Sequence, residues 1–198
     1  MRWIRKNFST VLLLVTLMIG ISLLLYPTIS DYWNSFHQSR AIAGYAEAVA
    51  EMDTVDYEKI WNDAVKYNKE LQTRSNHWFL TEEQQEEYES MLNVSGNGIM
   101  GYIEIPSIKV SLPIYHGVDE GILQVAIGHI EGSSLPAGGK GSHCVISGHR
   151  GLPSAKLFTD LDQLAEGDIF IPGRRKAGER THDLFGLFQR CRRFPQGL

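Results

Sequence analysis

The chain has two cysteines in 198 residues, Cys144 and Cys191. That is too few for a disulfide scaffold. It has no strong charge of either sign. The formal net charge is −4, whereas a phosphate-binding face is as a rule strongly basic, so nucleic acid is not expected as a partner. The stretch 128–141 is rich in glycine (Gly128, Gly132, Gly138, Gly139, Gly141) but holds no Gly-x-x-x-x-Gly-Lys-Ser/Thr run, so no phosphate loop is read. His129, His143 and His149 lack the close spacings of zinc ligands, and no metal site is expected. Finally, charge is missing altogether from Phe8 to Tyr26.

That uncharged run is what the N-terminus is made of. It contains Val11-Leu12-Leu13-Leu14-Val15 and Leu23-Leu24-Leu25, and about twenty apolar residues suffice to cross a bilayer as a helix. Arg2, Arg5 and Lys6 precede it and predict a cytoplasmic N-terminus. The expected layout is a basic segment over 1–7, a single membrane anchor over 8–27 and an extracellular remainder. A cleaved signal peptide is the alternative. The length of the run and the lack of a small-x-small site at Pro27-Thr28-Ile29-Ser30 favour the retained anchor.

Residues 28–98 read as a helical region. Tyr32, Phe36, Ile42, Tyr45, Ala46, Val49 and Met52 recur near helical spacing. Thr54 and Asp56 open a second stretch with Ile60, Trp61, Ala64 and Tyr67. These aromatics are expected to pack on the neighbouring domain, with Tyr32 and Trp33 close to the membrane surface. The pattern breaks over 71–80, where His77-Trp78-Phe79 stands in a connecting loop. Thr81 and Gln84 predict a capping box that starts another helix, ending near Leu92, and Ser95-Gly96-Asn97-Gly98 is a linker.

From Ile99 the period changes. Tyr102–Ile105 and Val110–Ile114 read as strands, with turn chemistry at Pro106-Ser107. Pro113 predicts an edge or a bulge. A short helix is expected within 120–126, a surface helix over 154–164, and a turn at Gly167-Asp168 into a strand over 169–171. Between them Cys144-Val145-Ile146 is a short strand-like run ahead of Ser147-Gly148-His149-Arg150-Gly151. His149 is thereby placed at a strand end, where the chain turns and catalytic groups collect. Pattern alone leaves two readings open, a proton carrier working near neutral pH or a hydrogen-bonded structural histidine. Cys144, five residues upstream on the same expected strand, should face the other side about 16 Å away and read as a small buried apolar residue.

Several stretches in order carry a resemblance: Gly101-Tyr102-Ile103-Glu104-Ile105-Pro106, Leu112-Pro113-Ile114-Tyr115-His116-Gly117, Leu135-Pro136 with Gly138-Gly139, Ser147–Pro153, and Leu157-Phe158-Thr159-Asp160-Leu161. Together they resemble the central block of the sortases, most of all class C, the pilin-polymerising enzymes of Gram-positive bacteria. The resemblance covers roughly residues 99–171 and implies a mainly β chain: an incomplete sortase-type β-barrel after a transmembrane helix and a helical region. It implies a cysteine transpeptidase without a cofactor. Its thiolate attacks the Thr–Gly bond of a Leu-Pro-x-Thr-Gly-like sorting signal, and an amine resolves the thioacyl enzyme. In pilus assembly the amine is a pilin lysine; in anchoring it is a cell-wall precursor. His149 matches the family's acid–base histidine. Class C members carry a lid with Asp-Pro and an aromatic; His77, Trp78 and Phe79 stand at that place without an Asp-Pro.

The resemblance by motif stops at Ile171, and 172–198 reads as a basic tail with Arg174, Arg175, Lys176, Arg180, Arg190, Arg192 and Arg193. Neither the Thr-Leu-x-Thr-Cys strand that would bring the nucleophile nor the stabilising arginine of the next strand is in the sequence. The expectation is a reading frame truncated or shifted near residue 172, and a copy without activity. Cys191 between Arg190 and Arg192 has the charge environment of a thiolate, though in a stretch with no visible strand pattern. Two other readings stand beside this one: a sortase of another class that anchors surface proteins, and a membrane-tethered binding module with no catalysis.

Overall fold

A computed structural model describes residues 7–138 and 140–173. The first helix, α1, runs unbroken from Phe8 to Glu51, 44 residues, with Pro27 inside it. It is long and apolar enough over its first part to cross a bilayer. Among the described residues nothing covers that part: Leu23 and Leu24 are 71% and 77% exposed. Helix α2 follows at Thr54–Leu71, with Asp53 accepting the Val55 N–H as its cap. Helix α3, Glu82–Ser90, opens on the predicted capping box: Thr81 Oγ1 accepts the Gln84 N–H and Gln84 Oε1 accepts the Thr81 N–H. Such a cap stabilises a short helix by about 1 kcal/mol.

Strands β1 (Ile99–Ile105) and β2 (Val110–His116) form an antiparallel hairpin around a 3-10 turn at Pro106–Ile108. A one-turn helix, α4 (Glu120–Leu123), leads to β3 (Ile127–His129), which lies parallel to β2. Strand β4 (Ile146–Ser147) pairs antiparallel with β3, and β5 (Ile171–Gly173) with β1, giving the order β4-β3-β2-β1-β5. Alternation along the strands serves two faces. Ile103, Ile105, Leu112, Ile114 and Ile127 join Ala64, Tyr67 and Leu71 of α2 and Tyr88 of α3 in the main core. Ile99 and Tyr102 turn to the other side, where Tyr45 and Val49 of α1 and Tyr57 of α2 meet them.

Four expectations need correction. The chain is not mainly β. Among the described residues the helices hold 44, 18, 9 and 4 residues and the strands 7, 7, 3, 2 and 3. Among the described residues the sheet is open, with β4 and β5 at its edges. The reason is that α1 carries the membrane-type helix on into the domain, while the glycine-rich connections form turns instead of strand. Second, Tyr32, Trp33 and Phe36 do not pack on the domain; they are 76%, 64% and 50% exposed. The face of α1 that meets the domain is the one with Asp31, Asn34 and Gln38. Their side chains bond to the Lys156 N–H, the Ser154 carbonyl and the Val125 carbonyl at 2.7, 2.8 and 2.6 Å. Third, 154–164 is not a surface helix. Ala155, Leu157 and Phe158 are buried at non-helical spacing, Leu157 has φ +39°, and only Leu161–Gln163 makes a 3-10 turn. Fourth, β2 is an inner strand despite Pro113. Pairing with β3 begins only at Ile114, so on that side Pro113 still stands where there is no ladder.

Candidate active site

The site is built from the ends of β3 and β4. Gly128 pairs with Ser147 and His129 with Ile146, and the chain then leaves the sheet through Gly148 and His149. Gly148 is needed for its missing side chain: a Cβ there would stand 2.6 Å from Ile127 Cγ2 and 2.8 Å from Phe158 Cδ2. Gly151 is needed for its turn, at φ +75°. Residues 149–159 form a closed loop. Its base is tied by the Phe158 N–H donating to the His149 carbonyl at 3.1 Å and the Gly151 N–H donating to Thr159 Oγ1 at 3.0 Å. Ala155, Leu157 and Phe158 plug it into the main core.

His149 is half-buried on this loop, with its backbone carbonyl held by the Phe158 N–H. A half-buried imidazole leaves room for another molecule to reach it, which a fully buried one does not. Arg150 is drawn away to Asp162, at 3.0 Å, with both side chains more than half exposed. A pair in that setting contributes well under about 1 kcal/mol, and it leaves Arg150 committed to a surface carboxylate.

Cys144 does not share a strand with His149, because β4 is only Ile146–Ser147. Its segment is laced to the turn before it. The His143 N–H and Val145 N–H donate to Ser134 Oγ and Ser133 Oγ, both at 3.1 Å. The Ser134 and Ile130 N–H groups return to the His143 and Val145 carbonyls. Burial pushes the Cys144 thiol up to about 12, so at neutral pH it is the thiol and a poor nucleophile. Cys191 lies outside the described residues. Among the described residues no three His, Cys, Asp or Glu side chains converge in a way that would hold a metal ion.

His77, Trp78 and Phe79 sit on the loop between α2 and α3. The His77 and Trp78 rings are 4.8 Å apart, and Trp78 and Phe79 are 55% and 77% exposed. Underneath, the His77 carbonyl lies against Gly132, where a Cβ would come within 2.2 Å. Arg74 fixes the start of the loop, pairing with Glu87 at 3.1 Å and lying 5.3 Å from the centre of the Tyr67 ring. Among the described residues no hydrogen bond or ring contact joins His77, Trp78 or Phe79 to His149.

Sequence reasoning missed two supports of the site. Asn68, buried on α2, clamps Leu135 as a strand neighbour would. Its Nδ2 donates to the Leu135 carbonyl at 3.0 Å and its Oδ1 accepts the Leu135 N–H at 2.7 Å. His129, with no exposed surface, is the centre of a polar network. Its Nε2 faces the Ser134 carbonyl at 2.9 Å, which can only accept, so Nε2 carries the proton. Nδ1 then accepts from the Tyr88 hydroxyl at 2.9 Å, and that oxygen accepts the Gly117 N–H at 3.0 Å. Burial holds the His129 pKa down to about 4, against a smaller opposing pull from the Ser134 carbonyl. The immediate neighbours in sequence, Tyr67 and Lys69 for Asn68 and Gly128 and Ile130 for His129, give no sign of either role.

The sortase-domain profile matches residues 103–187. The crystal structure of sortase C1 from Streptococcus agalactiae shares 49% identity and a TM-score of 0.65, over 68% of this chain and 69% of that one. The chain belongs to the sortase family. Sortase C of Streptococcus pneumoniae is 35% identical at a TM-score of 0.55, over 67% of each chain. Sortase C-1 of Actinomyces oris is 37% identical at 0.52, over 59% of this chain and 66% of that one. Among curated proteins there is no match. The sortase described here thus spans about two thirds of the length of these class C structures. The matched profile runs past Ile171, where the motif resemblance ended.

Proposed function

We propose that the chain is the histidine-bearing part of a class C sortase-type cysteine transpeptidase, held at the outer face of the cell membrane by α1. Its substrates on this reading are Leu-Pro-x-Thr-Gly-type sorting signals, passed to a pilin lysine or a cell-wall precursor. The observation that carries it is the setting of His149: a half-buried imidazole on a core-anchored loop at the end of β4, in a chain 49% identical to a sortase C1. The role proposed for His149 is to protonate the leaving amine and deprotonate the incoming one. The loop 77–79 is proposed as the lid over the peptide.

A thiolate within reach of His149 is required, and Cys144 does not meet that requirement with its pKa raised to about 12. The polypeptide of these 198 residues is therefore proposed to be inactive alone. The absence of Asp-Pro beside His77 favours a second reading, a sortase of another class that anchors surface proteins.

The test compares this chain with a version extended by a Thr-Leu-x-Thr-Cys strand and the arginine strand after it. The extended form should capture a sorting-signal peptide as a thioester, and His149→Ala should slow its turnover by roughly 10²–10⁴-fold. The 198-residue chain should do neither. If it cleaves the peptide and loses that activity on Cys191→Ala, the tail cysteine is the nucleophile and the inactive-copy reading is wrong.

A further inference from the structure

The loop that carries His149 is fastened at two places. Its base is closed on itself by the Phe158 N–H to His149 carbonyl bond and the Gly151 N–H to Thr159 Oγ1 bond. Its tip is fastened to a different element altogether. The Lys156 N–H donates to Asp31 Oδ1 at 2.7 Å, and Asn34 Nδ2 donates to the Ser154 carbonyl at 2.8 Å. Asp31 and Asn34 lie one helical turn apart on the same face of α1, and both are half-buried while Tyr32, Trp33 and Phe36 around them are exposed. The pairing is complementary: a carboxylate meets a backbone donor and an amide NH₂ meets a backbone acceptor, two residues apart along the loop. A hydrogen bond to an ionised carboxylate is short and among the stronger kinds.

We infer that Asp31 and Asn34 are positioning residues for His149. They act through Lys156 and Ser154 to hold the tip of the 149–159 loop against the first turns of α1 beyond the apolar span. Because the base of the loop is closed, fixing the tip fixes the orientation of the His149 backbone and the direction of its ring. Asp31 is five residues past Tyr26, about 8 Å along the helix, so this clasp fastens the histidine to the part of α1 next to the bilayer. The catalytic meaning of the clasp rests on the role proposed for His149; the clasp itself does not.

The experiment uses the full chain in lipid nanodiscs and needs no turnover. Amide exchange at Lys156 and the ring nitrogen signals of His149 are followed by NMR in the wild type and in Asp31→Ala, Asp31→Asn and Asn34→Ala. Asp31→Ala should speed exchange at Lys156 by at least about tenfold and shift the His149 ring signals. Asp31→Asn keeps an acceptor oxygen and should restore both. Asn34→Ala should move the His149 ring with a smaller change at Lys156. The inference is overturned if Asp31→Ala leaves the His149 ring signals unmoved, or if Asp31→Asn behaves like Asp31→Ala. Should Asp31→Ala also expose the interior Leu135 amide, the wild type decides: a cross-peak between the Asp31 side chain and the Lys156 amide supports the clasp, and its absence overturns it. Loss of peptide cleavage in an extended chain whose clasp signals are intact counts against the functional reading alone.

Discussion

Two histidines stand at the ends of neighbouring strands and meet opposite fates. His129 closes β3, and both ring nitrogens are held by Tyr88, Ser133 and Ser134 with no surface exposed. His149 follows β4 by two residues and keeps a half-open ring on a fixed backbone. The interior of the sheet converts an imidazole into a neutral structural bridge, because charging it there would forfeit hydration without gaining a counter-charge. The rim leaves the same group half-open, where another molecule can reach it. The contrast teaches that a histidine's use depends on how many partners its strand end supplies.

The largest effect belongs to the interior. His129→Ala should cost about 3 kcal/mol in chemical denaturation of the detergent-solubilised chain at pH 7, since it opens a cavity and strands the Tyr88 hydroxyl. The pH dependence carries the same signature. With its pKa lowered from 6.5 to about 4, folded His129 stays neutral while the unfolded chain takes up a proton. Stability from this group is thus full above about pH 6.5 and falls by about 3 kcal/mol as the pH drops to about 4. His129→Phe should flatten that slope; an unchanged slope would mean that another group carries it.

Next comes the junction between the two histidines. Gly148→Ala drives a methyl into Ile127 and Phe158, both in the core, and should destabilise by about 1–3 kcal/mol, read as a shift in the denaturation midpoint. A cost under about 0.5 kcal/mol would show that the loop base yields, and that His149 is less firmly held than its hydrogen bonds imply.

The smallest effects belong to the rim. His149→Ala, Trp78→Ala and Phe79→Ala should each stay within about 0.5 kcal/mol of the parent in the same assay. A loss of 2 kcal/mol at His149 would make it a second structural histidine and erase the comparison.

What was legible in the sequence follows the same division between local and distant causes. The apolar span, the Thr81–Gln84 capping box, the start of a second helix at Thr54 and the β1–β2 hairpin all rest on contacts a few residues apart, and spacing alone exposes those. His149 was singled out by its flanking glycines, although Gly148 serves close packing and only Gly151 the turn. The failures were set by distant partners. Asp31 and Asn34 bond to residues 125 and 120 positions away, and Asn68 to one 67 away. Nothing beside them in sequence marks that. The helix expected over 154–164 failed because Ala155, Leu157 and Phe158 answer to the core below them, and their irregular spacing is that of a plug.

Pro27 sits inside α1 without breaking it. A proline has no N–H to give, so the carbonyl of Leu23 loses its rung in an otherwise continuous ladder. At 1.5 Å per residue the helix is about 66 Å long, and this missing rung falls between its exposed apolar part and the turns that dock on the sheet. A rod of that length would work as a crowbar, turning each tilt of its foot into torque on the elements clamped to its upper half. A joint at the softened rung absorbs that torque first. With α1 as the proposed membrane anchor, a joint at this rung would make it a tether, and the domain could keep its own attitude while the apolar span rocks.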